Sequence, residues 1–319
     1  MQNRQIETDG LSQHVLEAGE GPLVILCHGF PELSWSWRRQ LPAIANAGYR
    51  AVAPDMRGYG GTRGPAEVES YTILNLVGDM VDLVRALGER QAVIVGHDWG
   101  APVAWHAALL RPDIFRAVVG LSVPFQGRKT SGEPVARLKA LTAAKGLGEF
   151  YMVRFQEPGI EAEFEADVER ALVRVFWGYD GATPDALRST GFYPRASSFL
   201  DSVSDQAARP PWLSEEELAV YVAAFSRSGF SGPLNWYRNL DRNWRLTGFA
   251  QALRIEVPAL FVVGEKDPVR NYTAAAAAEL PDWAPKLQDS VVVPGAGHWI
   301  QQERPDEINR RLIDFLGGL

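Results

Sequence analysis

The sequence has few of the features that mark exported, membrane-bound or nucleic-acid-binding proteins. Cys27 is the only cysteine among 319 residues, so no disulfide can form within the chain. No apolar run reaches membrane-spanning length, and residues 1–9 contain no apolar signal segment. Acidic residues outnumber basic ones by 39 to 32, a net charge of −7, which argues against nucleic acid or an anionic membrane as a partner. We therefore expect a cytoplasmic protein.

Short apolar runs alternate with helical stretches near both ends of the chain. This pattern is typical of a parallel sheet with helices on both faces. Each run ends in a turn that contains Gly, Pro, Asp or His, and ligands of open α/β sheets bind at the carboxyl ends of strands. We expect the chemistry at these turns. The runs predicted as strands are Leu23–Cys27, Arg50–Pro54, Ala92–Gly96, Ala117–Val123, Ala259–Val263 and Val291–Val293.

The alternation stops between residues 125 and 250, where the sequence shows helical patterns, many aromatic residues and no strand-like runs. One helix is predicted from the capping box formed by Ser214 and Glu217, and it should continue to about Arg227. We interpret residues 125–250 as a helical cap. It should lie over a core formed by residues 1–124 and 251–319.

The pentapeptide Gly-His-Asp-Trp-Gly at residues 96–100 follows a predicted strand, and a helix resumes at Ala101. A nucleophile flanked by small residues at such a turn is the nucleophile elbow of the α/β-hydrolase fold, where the backbone is strained and the helix packs closely. The elbow usually carries Ser, but here it carries Asp98. Displacement at a saturated carbon by Asp gives an ester that water can hydrolyse, whereas Ser would give a stable ether. Asp98 therefore predicts an alkylating substrate, such as an epoxide or an alkyl halide.

The predicted general base is His298, on the glycine-rich loop that follows the last predicted strand. It comes third in chain order, as the triads of this fold require. Its pKa range suits the activation of water near neutral pH. His14, His97 and His106 have no comparable setting, and we interpret His97 and His106 as structural residues. His28 is a second possible base by type, but we interpret its ring as holding the loop in place.

Asp267 is the predicted partner of His298, because it lies in the turn directly after another predicted strand. Its carboxylate would hold the imidazole tautomer and stabilise the imidazolium. Glu265 is the local competitor, but Asp267 lies further from the strand end, where the loop can turn toward the histidine.

The segment His28-Gly29-Phe30-Pro31 follows the first predicted strand. In this fold that loop supplies one backbone N–H of the oxyanion hole, and the residue after the nucleophile supplies the other. The predicted donors are therefore Phe30 and Trp99, each worth about 3 kcal/mol.

These motifs together make the chain resemble the soluble epoxide hydrolases of the α/β-hydrolase fold over nearly its whole length. The segments that carry the resemblance are residues 28–31 with Trp35 and Trp37, residues 55–60, 96–100, 154–159, 234–239 and 297–299.

The resemblance implies two cap tyrosines that bind the epoxide oxygen, and these correspond to Tyr151 and Tyr237. Tyr179 and Tyr193 remain alternatives to Tyr151. It also implies a cis peptide bond between Phe30 and Pro31. Because the hydrolase pattern starts within the first two dozen residues, we expect no phosphatase domain of the kind that precedes it in mammalian relatives.

The resulting hypothesis is hydrolysis of a small apolar epoxide by water to a vicinal diol, with no metal and no organic cofactor. Phe30, Pro31, Trp35 and Trp99 should line an apolar pocket. The main alternative is a haloalkane or haloacid dehalogenase, which would use the same Asp but needs N–H donors for a halide. A non-catalytic ligand-binding protein is a further alternative, and the choice between monomer and homodimer stays open.

Overall fold

A computed structural model describes residues 1–146, 148–194, 197–200, 203 and 208–319. Within these residues, the strands are β1 Gln2–Thr8, β2 Leu11–Ala18, β3 Leu23–Cys27, β4 Arg50–Pro54, β5 Ala92–His97, β6 Phe115–Leu121, β7 Glu149–Phe150, β8 Phe192–Tyr193, β9 Ala259–Gly264 and β10 Leu287–Val293. Eight of them form one sheet in the order β1-β2-β4-β3-β5-β6-β9-β10, and all pairs except β1–β2 and β2–β4 are parallel. The predicted, mostly parallel central sheet is therefore confirmed.

Helices cover both faces of the sheet. Side chains of β3 illustrate the two layers, since Ile25 belongs to the core on one face and Val24 and Leu26 to the core on the other. Strands buried on both faces are continuous apolar runs, which is why the sequence revealed them. The helices are α1 Gln40–Asn46, α2 Ile73–Ala86, α3 Gly100–Leu110, α4 Pro134–Lys145, α5 Tyr151–Arg154, α6 Glu161–Glu165, α7 Val168–Gly178, α8 Glu215–Ser228, α9 Ser231–Arg238, α10 Leu240–Leu246, α11 Pro268–Trp283, α12 Ile300–Glu303 and α13 Pro305–Gly317.

Two strands at the edge of the sheet were not predicted. β1 is exposed at five of its seven positions, with Ile6 buried and Thr8 partly buried, and β2 alternates buried and partly buried residues over its first half. A strand at the antiparallel edge of a sheet does not need a continuous run of apolar residues, because one face of such a strand can be exposed to solvent.

Residues 122–258, between β6 and β9, contain helices α4 to α10, and we call this segment the insertion. The prediction that it lacks strands is wrong, since β7 and β8 pair antiparallel through Glu149 with Tyr193 and Phe150 with Phe192. Each has only two residues, too few for a period to show in the sequence.

The predicted capping box is confirmed at the start of α8. The Ser214 hydroxyl accepts the Glu217 N–H at 3.2 Å, the Glu217 carboxylate accepts the Ser214 N–H at 2.9 Å, and the helix ends at Ser228. Across the part of the chain that the structure describes, no helix combines the length and apolarity needed to cross a membrane.

Candidate active site

Asp98 occupies a sharp turn between β5 and α3, with a positive φ of 49°. Its glycine neighbours are required by close packing. A Cβ on Gly96 would lie 2.0 Å from the carbonyl oxygen of Gly100, and a Cβ on Gly100 would lie 2.1 Å from the carbonyl oxygen of Cys27. The turn therefore holds the Asp98 carboxylate at the carboxyl end of the sheet in a backbone conformation that few side chains tolerate.

Two groups contact the Asp98 carboxylate. The Phe30 N–H donates to its Oδ1 at 2.8 Å, and the Nε2 of His298 lies 3.4 Å from its Oδ2. Phe30 precedes Pro31 through the expected cis peptide bond. The loop after β3 and the loop after β10 thus meet at the same carboxylate.

Asp267 lies on the other side of the imidazole. The Nδ1 of His298 is 3.1 Å from both carboxylate oxygens, and Asp267 also accepts the Val269 N–H at 2.9 Å at the start of α11. The competing Glu265 turns away and accepts the Gly295 N–H at 2.8 Å. The structure therefore brings together Asp98, His298 and Asp267.

The two carboxylates determine the charge of the imidazole between them. Burial acts to lower the pKa of His298, but the charge and hydrogen bond of Asp267, followed by those of Asp98, raise it well above 6.5. Burial acts to raise the pKa of Asp98, but the hydrogen bond and charge of His298 prevail and lower it. Both shifts favour the ion pair between the His298 imidazolium and the Asp98 carboxylate when no substrate is bound.

Ser122 belongs to this site and was not predicted. It follows β6 with a positive φ of 71°, donates its hydroxyl to the Oδ2 of Asp267 at 2.6 Å and lies 2.9 Å from the Nδ1 of His298. Its position just after a strand was the only available signal. The prediction had extended that strand through Val123, so the turn was missed.

Two further histidines occupy buried, hydrogen-bonded positions. His28 accepts the Met56 N–H at its Nε2 and donates its Nδ1–H to Gly29, both at 2.9 Å, and burial lowers its pKa. His97 lies 2.6 Å from the Glu32 carboxylate and 2.8 Å from the main-chain oxygen of His298. These contacts position the loops around Asp98.

A cavity lies between Asp98 and the insertion. Tyr151 and Tyr237 both line it, with ring centroids 6.0 Å apart. Burial is the main factor that raises the pKa of each phenol well above 10. The lining residues are Phe30, Asp98, Tyr151, Phe155, Val175, Tyr179, Phe199, Tyr237, Val269, His298 and Trp299.

The two alternative tyrosines differ in position. Tyr179 lines the cavity, as Tyr151 does. Tyr193 does not line it, and its ring packs on Phe199 with the centroids 6.2 Å apart. The cavity therefore favours Tyr151 over Tyr193 by position, and the choice between Tyr151 and Tyr179 stays open.

Three of the four residues predicted to line the pocket lie elsewhere. Trp35 belongs to a short 3₁₀ helix, Ser34–Trp37, and faces the Arg38 guanidinium at 5.8 Å from the ring centroid. Pro31 and Trp99 are buried but do not line the cavity, and the Trp99 ring packs edge-on against Tyr237 at 5.1 Å. Of the four predicted residues, only Phe30 lines the cavity. The insertion supplies most of the other apolar lining residues.

The sheet order, the strained Asp at the strand–helix turn and the His–Asp pair define an α/β hydrolase. A family model for the alpha/beta hydrolase fold matches residues 22–150. Full-length similarity is more specific. Epoxide hydrolase A of Mycobacterium tuberculosis is 44% identical over 99% of this chain and 97% of its own length, and the chain belongs to the epoxide hydrolase family. Bifunctional epoxide hydrolase 2 of Sus scrofa is 38% identical, over 96% of this chain but 53% of its own length.

Solved structures agree with this assignment. An epoxide hydrolase from an endophytic Streptomyces superposes with a TM-score of 0.95 at 43% identity, covering 99% of this chain and 95% of that one. Epoxide hydrolase A from Mycobacterium thermoresistibile gives a TM-score of 0.92 at 45% identity, covering 100% and 98%. The family expected from the sequence motifs is confirmed.

Proposed function

We propose that this protein is a hydrolase that converts epoxides to vicinal diols through an ester on Asp98. The observation that carries the proposal is one cavity with the Asp98 carboxylate and His298 on one side and two phenols, Tyr151 and Tyr237, on the other. The names of the full-length relatives support the substrate class. Residues 125–250 would act as the cap that encloses the substrate.

In the first step, the Oδ2 of Asp98 attacks a ring carbon, since Oδ1 is held by the Phe30 N–H. The carbon–oxygen bond breaks, and its electron pair goes to the epoxide oxygen. Tyr151 and Tyr237 are protonated at neutral pH, as ordinary phenols are, and burial raises their pKa values further. A phenol is intrinsically more acidic than an aliphatic alcohol and can give its proton to an alkoxide. One phenol donates its proton to the oxygen, and the other stabilises it by a hydrogen bond.

In the second step, His298 becomes a base. Alkylation converts Asp98 to a neutral ester and removes one of the charges that raise the pKa of His298. The imidazolium can then return a proton to the tyrosinate formed in the first step. Neutral His298 takes a proton from water, and the hydroxide attacks the carbonyl carbon of Asp98, where the Phe30 and Trp99 N–H groups would stabilise the oxyanion. The tetrahedral intermediate then breaks its bond to the substrate oxygen, which takes the proton of the new Asp98 carboxyl group and leaves as the second hydroxyl of the diol, so that Asp98 is again a carboxylate. Asp267 stabilises the imidazolium that forms again.

Mass spectrometry tests this mechanism. His298→Ala mixed with styrene oxide should gain the mass of one substrate molecule, because the ester forms but is not hydrolysed. Asp98→Asn should gain none. Asp113→Asn is the matched control, since Asp113 is an exposed carboxylate that pairs with Arg111. It should turn over like the wild type.

Isotope labelling supplies an independent test. Over repeated turnovers in ¹⁸O-water, the wild-type peptide that contains Asp98 should acquire ¹⁸O, because water oxygen enters the carboxylate at each hydrolysis. Diol formation without this label, together with no adduct on His298→Ala, would exclude the ester.

The dehalogenase alternative is disfavoured by the donors on the cavity wall. A halide needs N–H donors, but Trp99 does not line the cavity, which presents phenols. Halide release from simple alkyl halides at a rate above diol formation from styrene oxide would reverse this choice. Ligand binding without product, unaffected by Asp98→Asn, would indicate a non-catalytic protein instead.

A further inference from the structure

Glu303, the last residue of α12, contacts both chain neighbours of the proposed base. Its Oε2 accepts the Gly297 N–H at 2.7 Å, and its Oε1 accepts the Trp299 N–H at 2.9 Å. Its Oε2 also accepts the Gly181 N–H of the insertion at 3.1 Å. The Glu303 carboxylate thus links the residues before and after His298 to the insertion, which carries Tyr151 and Tyr237.

The contact between this loop and the insertion is close. The His298 N–H donates to the carbonyl oxygen of Tyr179 at 2.9 Å. A Cβ on Gly297 would lie 2.3 Å from the Gly181 nitrogen, and a Cβ on Gly181 would lie 2.7 Å from the Glu303 carboxylate. Movement of the loop relative to the insertion would therefore break the hydrogen bonds that Glu303 accepts.

The charge of Glu303 is sensitive to pH near neutrality. Burial and the negative charge of Asp180 raise its pKa to about 7, against the lowering effect of its three backbone donors. The Trp212 indole donates to Asp180 at 2.5 Å. Other charged groups face this cluster from neighbouring elements: Lys266, whose ammonium donates to the Gly181 oxygen at 3.1 Å, and Arg188 and Arg304, whose charges partly offset the burial that raises the pKa of Asp180.

We infer that Glu303 is a positioning residue whose carboxylate holds the His298 loop against the insertion and so aligns the imidazole for activation of water. This inference rests on the proposed function. A protonated carboxyl accepts backbone hydrogen bonds less strongly than a carboxylate, so the alignment weakens below about pH 7. Hydrolysis of the ester, which needs the imidazole, should show this ionisation. Formation of the ester, which uses Asp98 and the phenols, should not.

The test is Glu303→Gln in the full chain, because the amide keeps the shape but not the charge. Single-turnover kinetics with styrene oxide from about pH 5.5 to about pH 9 separate the formation and hydrolysis of the ester. Hydrolysis should slow by roughly tenfold above pH 7 and lose the ionisation near 7, with ester formation changed by less than about twofold. Glu307→Gln on α13 removes the same charge from a pair with Arg311 and should leave both profiles unchanged.

Equal slowing of both steps, or an unchanged hydrolysis profile, would overturn the inference. Hydrogen-exchange mass spectrometry of residues 294–300 provides a readout independent of catalysis. Wild-type exchange, corrected for its intrinsic pH dependence, should rise below about pH 7, and in Glu303→Gln it should be fast throughout. If the wild type forms no ester, the proposed function fails, and the exchange data still decide whether Glu303 holds the loop.

Discussion

Replacement of Tyr237 by Phe tests the proposed role of the phenols most directly, because it removes one hydroxyl and leaves the ring. The ring packs edge-on against Phe30, Trp99 and Phe155, with centroid distances of 5.6, 5.1 and 5.0 Å. These contacts need no hydroxyl. We therefore expect Tyr237→Phe to fold with nearly wild-type stability, which a urea unfolding curve can check.

The effect on the chemistry should be much larger. A preorganised donor to a developing oxyanion in a buried site contributes about 3 kcal/mol, which corresponds to a rate factor of roughly 100. Tyr151 still lines the cavity and can supply the proton, so activity should fall rather than vanish. Ester formation should slow by roughly 100-fold, while hydrolysis of the ester, which does not involve the epoxide oxygen, should change little.

Stopped-flow measurement of the two steps, with Tyr193→Phe as the matched control, decides the question. The Tyr193 hydroxyl lies away from the cavity and has no hydrogen-bond partner among the described residues, so its loss should leave both rates unchanged. Ester formation within threefold of the wild-type rate in Tyr237→Phe would refute the assignment of this phenol. A large loss in Tyr193→Phe would show that the wrong tyrosine had been chosen.

Three further changes test other parts of the structure. Ser122→Ala removes a donor to Asp267, and we expect slower ester hydrolysis by roughly tenfold with unchanged ester formation in the same stopped-flow assay. Gly100→Ala should lower the unfolding free energy by about 3 kcal/mol or more in urea, since its Cβ would meet backbone 2.1 Å away. His14 pairs with Asp55 at 2.8 Å, which raises the pKa of His14 above 6.5 and, against burial, lowers that of Asp55 below 3.8. The pair should contribute most to the unfolding free energy between pH 3.8 and pH 6.5, where both groups are charged. Its contribution should fall as the pH rises from 6.5 through the raised pKa of His14, and as the pH drops from 3.8 through the lowered pKa of Asp55. His14→Asn should lack this contribution.

The elements that could be predicted from the sequence are those buried on both faces. β3, β5 and β9 are continuous apolar runs because both faces are covered, whereas the edge strand β1 was missed because its residues are polar. In β10 only the last three residues, Val291–Val293, were predicted, since the preceding part of this edge strand is largely exposed and polar.

The candidate site divides in the same way. The sequence motifs alone were enough to identify the family. They were also enough to select Asp98, His298 and Asp267, because each of these residues follows a strand at the edge of the sheet where parallel strands end together. Their catalytic roles remain predictions.

Only the tertiary structure decided which side chains complete the site. It places Asp267 rather than Glu265 beside His298, Tyr151 but not Tyr193 on the cavity wall, Trp35 outside the cavity, Ser122 against Asp267, and Glu303 against the His298 loop. The physical reason is that the end of a strand determines only where the following turn begins. The direction of a loop side chain, and its neighbours from distant parts of the chain, depend on how the insertion packs against the core.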